Sequence, residues 1–296
     1  MNKLNPILLI GIAFLIVLLF LSFIGPYLPF VQDNLDKKHF IKDSNNNLLV
    51  PPLPPSDKFI IGTDKEGRDL LSVLILGAKE TLGFILFISI IRYLISIPLG
   101  FLASRDKYIY NILILWNRLF TYVPTFIVVL LISFIPFVLY SSSRLLLMII
   151  LIAFIEVGNA ALIKKELFAQ VRKKEYVTSG IVIGTRPIKL FLKYFLFPVR
   201  KQIIVHFTFD IGRNMLLLAQ LGFADIFITH VIKQNETGSW VWFNNSNNWP
   251  ILLSDSLLFI KTAIWIPLWT ALFMSFTIFT FNLLGEGLKE YFTKKA

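Results

Sequence analysis

Six stretches of the chain are almost continuously apolar: residues 6–24, 81–103, 112–140, 145–163, 203–224 and 262–284. A bilayer-crossing helix needs ~20 such residues, so the pattern predicts an all-α membrane protein with six transmembrane helices. No ten-residue segments of alternating polarity occur, which excludes a β-barrel. The first stretch follows Lys3 and is longer than a cleaved leader's apolar core. Gly25-Pro26-Tyr27 offers no small-x-small cleavage site, so the stretch reads as an uncleaved first helix.

The polar segments between these runs divide the chain into residues 1–25, an N-terminal membrane helix, residues 26–80, a polar excursion, and residues 81–296, a bundle of five further helices. The excursion contains Asn45-Asn46-Asn47 and Pro51-Pro52-Leu53-Pro54-Pro55, which favours an extended strap over a packed domain. Residues 164–201 hold ten Lys and Arg against only Glu166 and Glu175. The positive-inside rule therefore places this segment and both termini on the cytoplasmic side. The net charge of +11 gathers on that one face, so it is an orientation signal and not a nucleic-acid patch. Cysteine is absent, which removes disulfides and thiolate metal sites.

Charges inside the apolar runs are candidate functional or helix-pairing residues, because an ionised side chain at the bilayer centre costs at least about 2.5–3.5 kcal/mol when unpaired. Arg92 lies mid-span and is expected to face the bundle interior. Glu156 is expected to be protonated, to pair with Arg92 or Arg118, or to line a wet cavity. Asp210 and Arg213, three apart on one helical face, are expected to neutralise each other, and Arg118, near a helix end, has room to snorkel. Trp240, Trp242 and Trp249 read as an interfacial aromatic belt. His39, His206 and His230 form no metal motif, and no Gly-x-x-x-x-Gly-Lys-Ser/Thr loop is present. The chain thus carries no ATP site, no metal site and no catalytic constellation.

Within residues 164–201 apolar positions recur at helical spacing through Leu167, Phe168 and Val171 and again through Ile188, Phe191, Leu192 and Phe195, while Gly180, Gly184 and Pro187 interrupt the middle. This predicts a short helix, a tight turn near Gly184 and a second helix. Elsewhere Gly62-Thr63-Asp64-Lys65-Glu66-Gly67-Arg68-Asp69 has the composition of a capped turn opening a helix, with Arg68 set to meet a carboxylate. Phe281-Asn282-Leu283-Leu284-Gly285-Glu286-Gly287-Leu288-Lys289-Glu290 closes the last apolar run, where the glycines are expected to end the membrane helix.

Three of these segments carry a family resemblance. Glu175-Tyr176-Val177, the small pair Ser179-Gly180 and then Gly184 resemble the coupling ("EAA") loop of ABC-importer permeases, although the usual Ala-Ala pair is replaced. The stretch from Gly62 through Thr63, Asp64, Gly67, Arg68 and Asp69 matches without a gap the Gly-Thr-Asp-x-x-Gly-Arg-Asp signature of the second permease of peptide, nickel and opine importers. The closing segment is similar to that branch's Phe-Asn-x-x-Gly-Asp-x-Leu-Arg-Asp, and Trp249-Pro250-Ile251-Leu252-Leu253 to its Trp-x-x-Leu-Leu. Arg118 stands where related permeases commonly carry an acid, a departure that bears on the solute.

The resemblance implies a type I ABC-importer permease fold with a long extracellular loop after helix 1 and a cytoplasmic coupling-helix loop between helices 4 and 5. It implies residence in the cytoplasmic membrane, in contact with lipid. A homologous second permease, two ATPase subunits that bind ATP and magnesium, and a solute-binding lipoprotein or periplasmic binding protein would be its partners. The residues from Glu175 to Gly184 would transmit ATPase closure, and the cargo would be a peptide or a related small solute. Two readings stay beside it: a scaffold or sensor that keeps the fold without transporting, and import of nickel or a metal chelate. A secondary transporter would show repeated blocks of helices, which the sequence lacks.

Overall fold

The structure is a computed structural model that describes residues 5–32, 35–37, 40–42, 48–226, 229, 231–234, 239–243, 246–254 and 259–294, with backbone alone for 41–42, 231–234 and 240–243. His39, His230, Asn45-Asn46-Asn47 and the side chains of Trp240 and Trp242 lie outside what is described. Helix α1 (Pro6–Phe23) is capped by Asn5, whose Oδ1 accepts from the Ile7 N–H at 3.1 Å. A 3-10 turn (Gly25–Tyr27) and the short α2 (Pro29–Gln32) lead to a small antiparallel hairpin, β1 (Ile41–Lys42) with β2 (Leu48–Leu49).

Helix α3 (Leu70–Ala103) begins eleven residues before the apolar run that announces it. Its start is set by Asp69, whose Oδ2 accepts from the Ser72 backbone N–H at 2.9 Å and from the Ser72 hydroxyl at 2.6 Å. The first turns bury Leu70, Val73 and Leu74, so the excursion ends at residue 69 and not at 80. The charged pair Lys79-Glu80 that masks the helix start is accommodated by contacts: Lys79 lies over the Phe23 ring and Glu80 accepts from Ser246.

The third apolar run is broken rather than kinked. Helices α4 (Lys107–Thr121) and α5 (Thr125–Ser133) meet at 83°, because Pro124 lacks an N–H and pushes Val123 out of helical geometry. Pro136 opens a further short helix, α6 (Pro136–Leu139). The fourth run is also bent, by 43° between α7 (Arg144–Ile155) and α8 (Val157–Arg172). Past it come α9 (Glu175–Val182), α10 (Pro187–Lys189), a π-helical stretch (Leu190–Leu196) and α11 (Phe197–Phe223). The basic segment, read from the sequence as helix, turn and helix, is nearly all helix, with short breaks before Glu175 and around Gly184.

An antiparallel hairpin, β3 (Val231–Gln234) with β4 (Trp240–Phe243), and α12 (Trp249–Ser254) precede α13 (Trp265–Lys294). Helix α13 runs uninterrupted through Gly285 and Gly287, contrary to the expectation that they end it. Their role is close approach: a Cβ on Gly287 would stand 2.6 Å from Leu8 Cα, and one on Gly11 would stand 2.9 Å from Leu284 N. Helices α1 and α13 therefore pack antiparallel almost backbone to backbone, and Asn5 donates to Glu290 at the common end.

Helices α1, α3 and α13 are each long and apolar enough to cross a membrane, and counting each bent pair as one crossing raises the number to five. Helix α11 has the length, 27 residues, but carries His206, Asp210, Arg213 and Asn214 along it. The main core joins Leu74, Ile85 and Ile88 of α3 to Met148 and Ile152 of α7, Met215 and Leu218 of α11 and Met274 of α13. A smaller core of Phe101, Phe168, Phe195 and Val199 ties the basic end together.

Candidate functional site

Helices α3, α7–α8 and α11 converge on Arg92, which is 0% exposed. Its Nη1 is 2.6 Å from Asp210 Oδ1 and 2.9 Å from Glu156 Oε2. The rest of the guanidinium is met by main chain: Nη2 donates to Ile152 O at 3.3 Å and Nε to Ala153 O at 3.4 Å. The bend at Glu156 makes this contact. There the backbone N–H turns to Phe154 O, which frees the Ile152 carbonyl that a straight helix would have used. Glu156 Oε1 also accepts from Thr125 Oγ1 at 3.0 Å, so the first residue after the Pro124 break reaches the same centre. One arginine thus bridges three helices.

Of the charged residues expected to matter, Arg92, Glu156 and Asp210 are brought together. Asp210 takes Arg92, not Arg213, as its partner: Asp210 is buried where Arg92 arrives from α3 at 2.6 Å, while the Arg213 side chain is exposed. Arg213 is exposed at the rim of a neighbouring cavity. Arg118 is exposed on α4 and joins neither group.

That cavity, about 410 Å³, is walled by α3, α8, α11 and α13, with Arg92, Glu156, Lys164, His206, Asp210 and Asn282 among its lining residues. Lys164 and Tyr93 are the members that sequence reasoning passed over. The Lys164 ammonium sits 3.4 Å from the centroid of the Tyr93 ring. Residue 164 reads as the first residue of a basic loop, and only the continuation of α8 to Arg172 turns it inward.

At the basic end α9 stands out as an elbow. Val177 is its buried anchor, packing into the cluster of Phe101, Phe168 and Phe195. Tyr176 stacks on Tyr194 at 6.5 Å, and a Cβ on Gly180 would stand 2.7 Å from the Tyr194 ring, so a residue without a side chain is needed there. Ser179 Oγ donates to Glu175 O at 3.0 Å, and Glu175 sits in the first turn, where its charge suits the helix dipole. The helix ends in a Schellman turn: Thr185 N–H donates to Gly180 O at 3.1 Å and Gly184 N–H to Ile181 O at 3.0 Å. Gly184 has φ +71° with open space around it. Beyond the anchor, Val182, Ile183 and Ile188 are 79, 73 and 75% exposed, an apolar tip with the exposed Arg186 and Lys189 next to it in sequence.

The chain is similar to curated transport proteins along nearly its whole length. The dipeptide transport system permease protein DppC of Haemophilus influenzae is 24% identical over 291 residues, 95% of this chain and 88% of that protein. DppC of Bacillus subtilis is 24% identical over 97% of this chain and 82% of its own. The nickel transport system permease protein NikC of Escherichia coli K12 is 22% identical over 81% of this chain and 80% of its own. No family model matches the chain. Its homologues are the permeases of peptide and nickel ABC importers.

The end opposite the elbow is organised by the Gly62–Asp69 signature. Asp64 Oδ1 accepts from the Glu66 and Arg68 backbone N–H groups at 2.9 Å each, and Asp64 Oδ2 lies 2.7 Å from Arg68 Nη2. Arg68 Nη1 reaches Asn247 Oδ1 at 2.8 Å, Trp265 Nε1 donates to Thr63 O at 3.1 Å, and Asp69 caps α3. Gly62 and Gly67 have φ of +86° and +75°, which a turn this tight requires. Trp249, expected in an interfacial belt, is instead 0% exposed. Its Nε1 donates to Leu74 O at 2.7 Å and its N–H to Thr81 Oγ1 at 3.0 Å. The indole is sequestered because α3 starts early enough to offer it a carbonyl. The signature is therefore a clasp that joins the start of α3 to Asn247, just ahead of α12, and to α13.

Proposed function

We propose that this permease forms one half of the translocation pathway of an ATP-driven importer, for peptides or a related small solute delivered by an extracellular binding protein. In this reading it crosses the membrane six times, with α11 as the fifth crossing and both termini cytoplasmic. It pairs with a second permease above two ATPases that hold the ATP and magnesium. The observation that carries the reading is the α9 elbow: an exposed apolar tip with a cationic rim, fixed at Val177 to a rigid aromatic cluster. Such an element transfers displacement from a docked partner to the inner ends of α3, α8 and α11. The charged centre between those helices is where a bundle with two arrangements would repack, and only differential binding of ATP and of the loaded receptor drives it between them.

Mild-detergent purification of the tagged chain with mass spectrometry tests the assembly. A homologous permease and Walker-containing ATPases are expected to accompany it and to be lost when residues 175–184 are altered; recovery of the chain alone overturns the proposal. Gly184 offers a finer test. At φ +71° a β-branched side chain is strained by about 1–2 kcal/mol or more, with no clash to confuse the result. Gly184→Val is expected to insert normally and to reduce ATP-driven uptake strongly, whereas Gly184→Asn, which tolerates that conformation, is expected to keep most of it. Normal uptake by the valine variant removes α9 from the coupling path.

A further inference from the structure

Two buried groups of opposite sign stand at the cavity beside Arg92: an ammonium that makes no ion pair among the described residues and a carboxylate oxygen that makes no hydrogen bond. Lys164 is 1% exposed, and no carboxylate of the described residues is in ion-pair range of it; its partner is the face of Tyr93. Asp210 uses only Oδ1 on Arg92, while Oδ2 is buried without a hydrogen-bond partner. Both residues line the same cavity, and its 410 Å³ falls in the ~300–1,000 Å³ range of small-molecule sites. A buried ammonium facing a ring and a buried carboxylate oxygen facing nothing are each costly alone. A ligand carrying a carboxylate and an amine would satisfy both.

We infer that this cavity is a subsite for a zwitterionic solute, which places its carboxylate on Lys164, with Arg213 at the rim, and its ammonium on Asp210 Oδ2. The inference rests on the importer reading and narrows it. A bare divalent cation does not suit the site: the described residues contain no group of three His, Asp or Glu able to hold a metal, and Arg92 already occupies both carboxylates. The amide of Asn282, also on the lining, adds a neutral donor and acceptor suited to a peptide bond.

The test uses the assembled importer with its receptor in proteoliposomes. It compares labelled dipeptides with their C-terminal amides and N-acetyl forms in wild type, Lys164→Met, Lys164→Arg and Arg213→Gln. Receptor preference is common to all four and cancels between variants. Lys164→Met is expected to slow free-dipeptide uptake about tenfold or more, the scale of a lost hydrogen bond to a charge, and to leave amide uptake unchanged. Lys164→Arg is expected to restore much of the difference. Arg213 is exposed, so Arg213→Gln folds independently of this site; it is expected to raise KM for the free dipeptide with little change in kcat. Undiminished uptake by Lys164→Met and unchanged KM for Arg213→Gln would overturn the subsite and leave the importer standing, as would ATP-driven uptake of cations but of no zwitterion. Absence of ATP-driven uptake of any solute would overturn both.

Discussion

Arg92→Leu is expected to destabilise the bundle by about 3–5 kcal/mol, the usual cost of removing one partner from a buried ionic group. The loss is large because two carboxylates depend on one guanidinium: Glu156 and Asp210 would face each other without a cation, and the Ile152 and Ala153 carbonyls would lose their donor. The check is thermal unfolding of the purified protein together with its recovery from membranes. The triple variant Arg92→Leu/Glu156→Gln/Asp210→Asn separates stability from function, since neutral replacement of all three groups removes the unpaired charges. It is expected to regain most of the lost melting temperature while transport stays impaired. If Arg92→Leu melts with wild type, the three-helix junction is not held by this arginine.

The second large effect lies at the opposite end. Trp249→Ala is expected to cost about 3–5 kcal/mol, since a fully buried indole leaves a cavity that the surrounding helices fill only in part. Trp249→Phe keeps most of the volume and the edge-on contact with Phe273 at 5.8 Å, but strands the Leu74 carbonyl, for about 1–3 kcal/mol. Limited proteolysis between α11 and α13 reads the difference. Cleavage there is expected to accelerate strongly for alanine and mildly for phenylalanine; equal rates for all three would show that α12 is held by something other than Trp249.

Much of this was legible from residue order alone. The apolar runs mark helices, three of them long and apolar enough to cross a membrane; the cost of a bare charge puts Arg92 in the interior, and Gly184's neighbours put it at a turn. What escaped has a common cause: local composition does not report what an element meets across the fold. Lys79-Glu80 looked like the end of a loop, although the helix had already begun at Asp69. Gly285 and Gly287 looked like helix terminators, yet they serve the approach of α1. Asp210 and Arg213 looked like a pair at helical spacing, but Arg92, more than a hundred positions away, is better aimed. Lys164 shows the limit most clearly, because one more turn of α8 converts a loop cation into the most buried lysine near the cavity.

The glycine contact between α1 and α13 bears on the order in which the chain is made. Leu8 and Gly11 are more than 270 positions from Gly287 and Leu284, which receive them, so α1 is made long before its partner surface. Until then α1 has only part of α3 to lean on. In the interval the glycine-lined face of α1 lacks the backbone it packs against, and the contact closes once α13 is present. A chain stopped before residue 265 would lack that partner surface and leave the close-packed face of α1 uncovered.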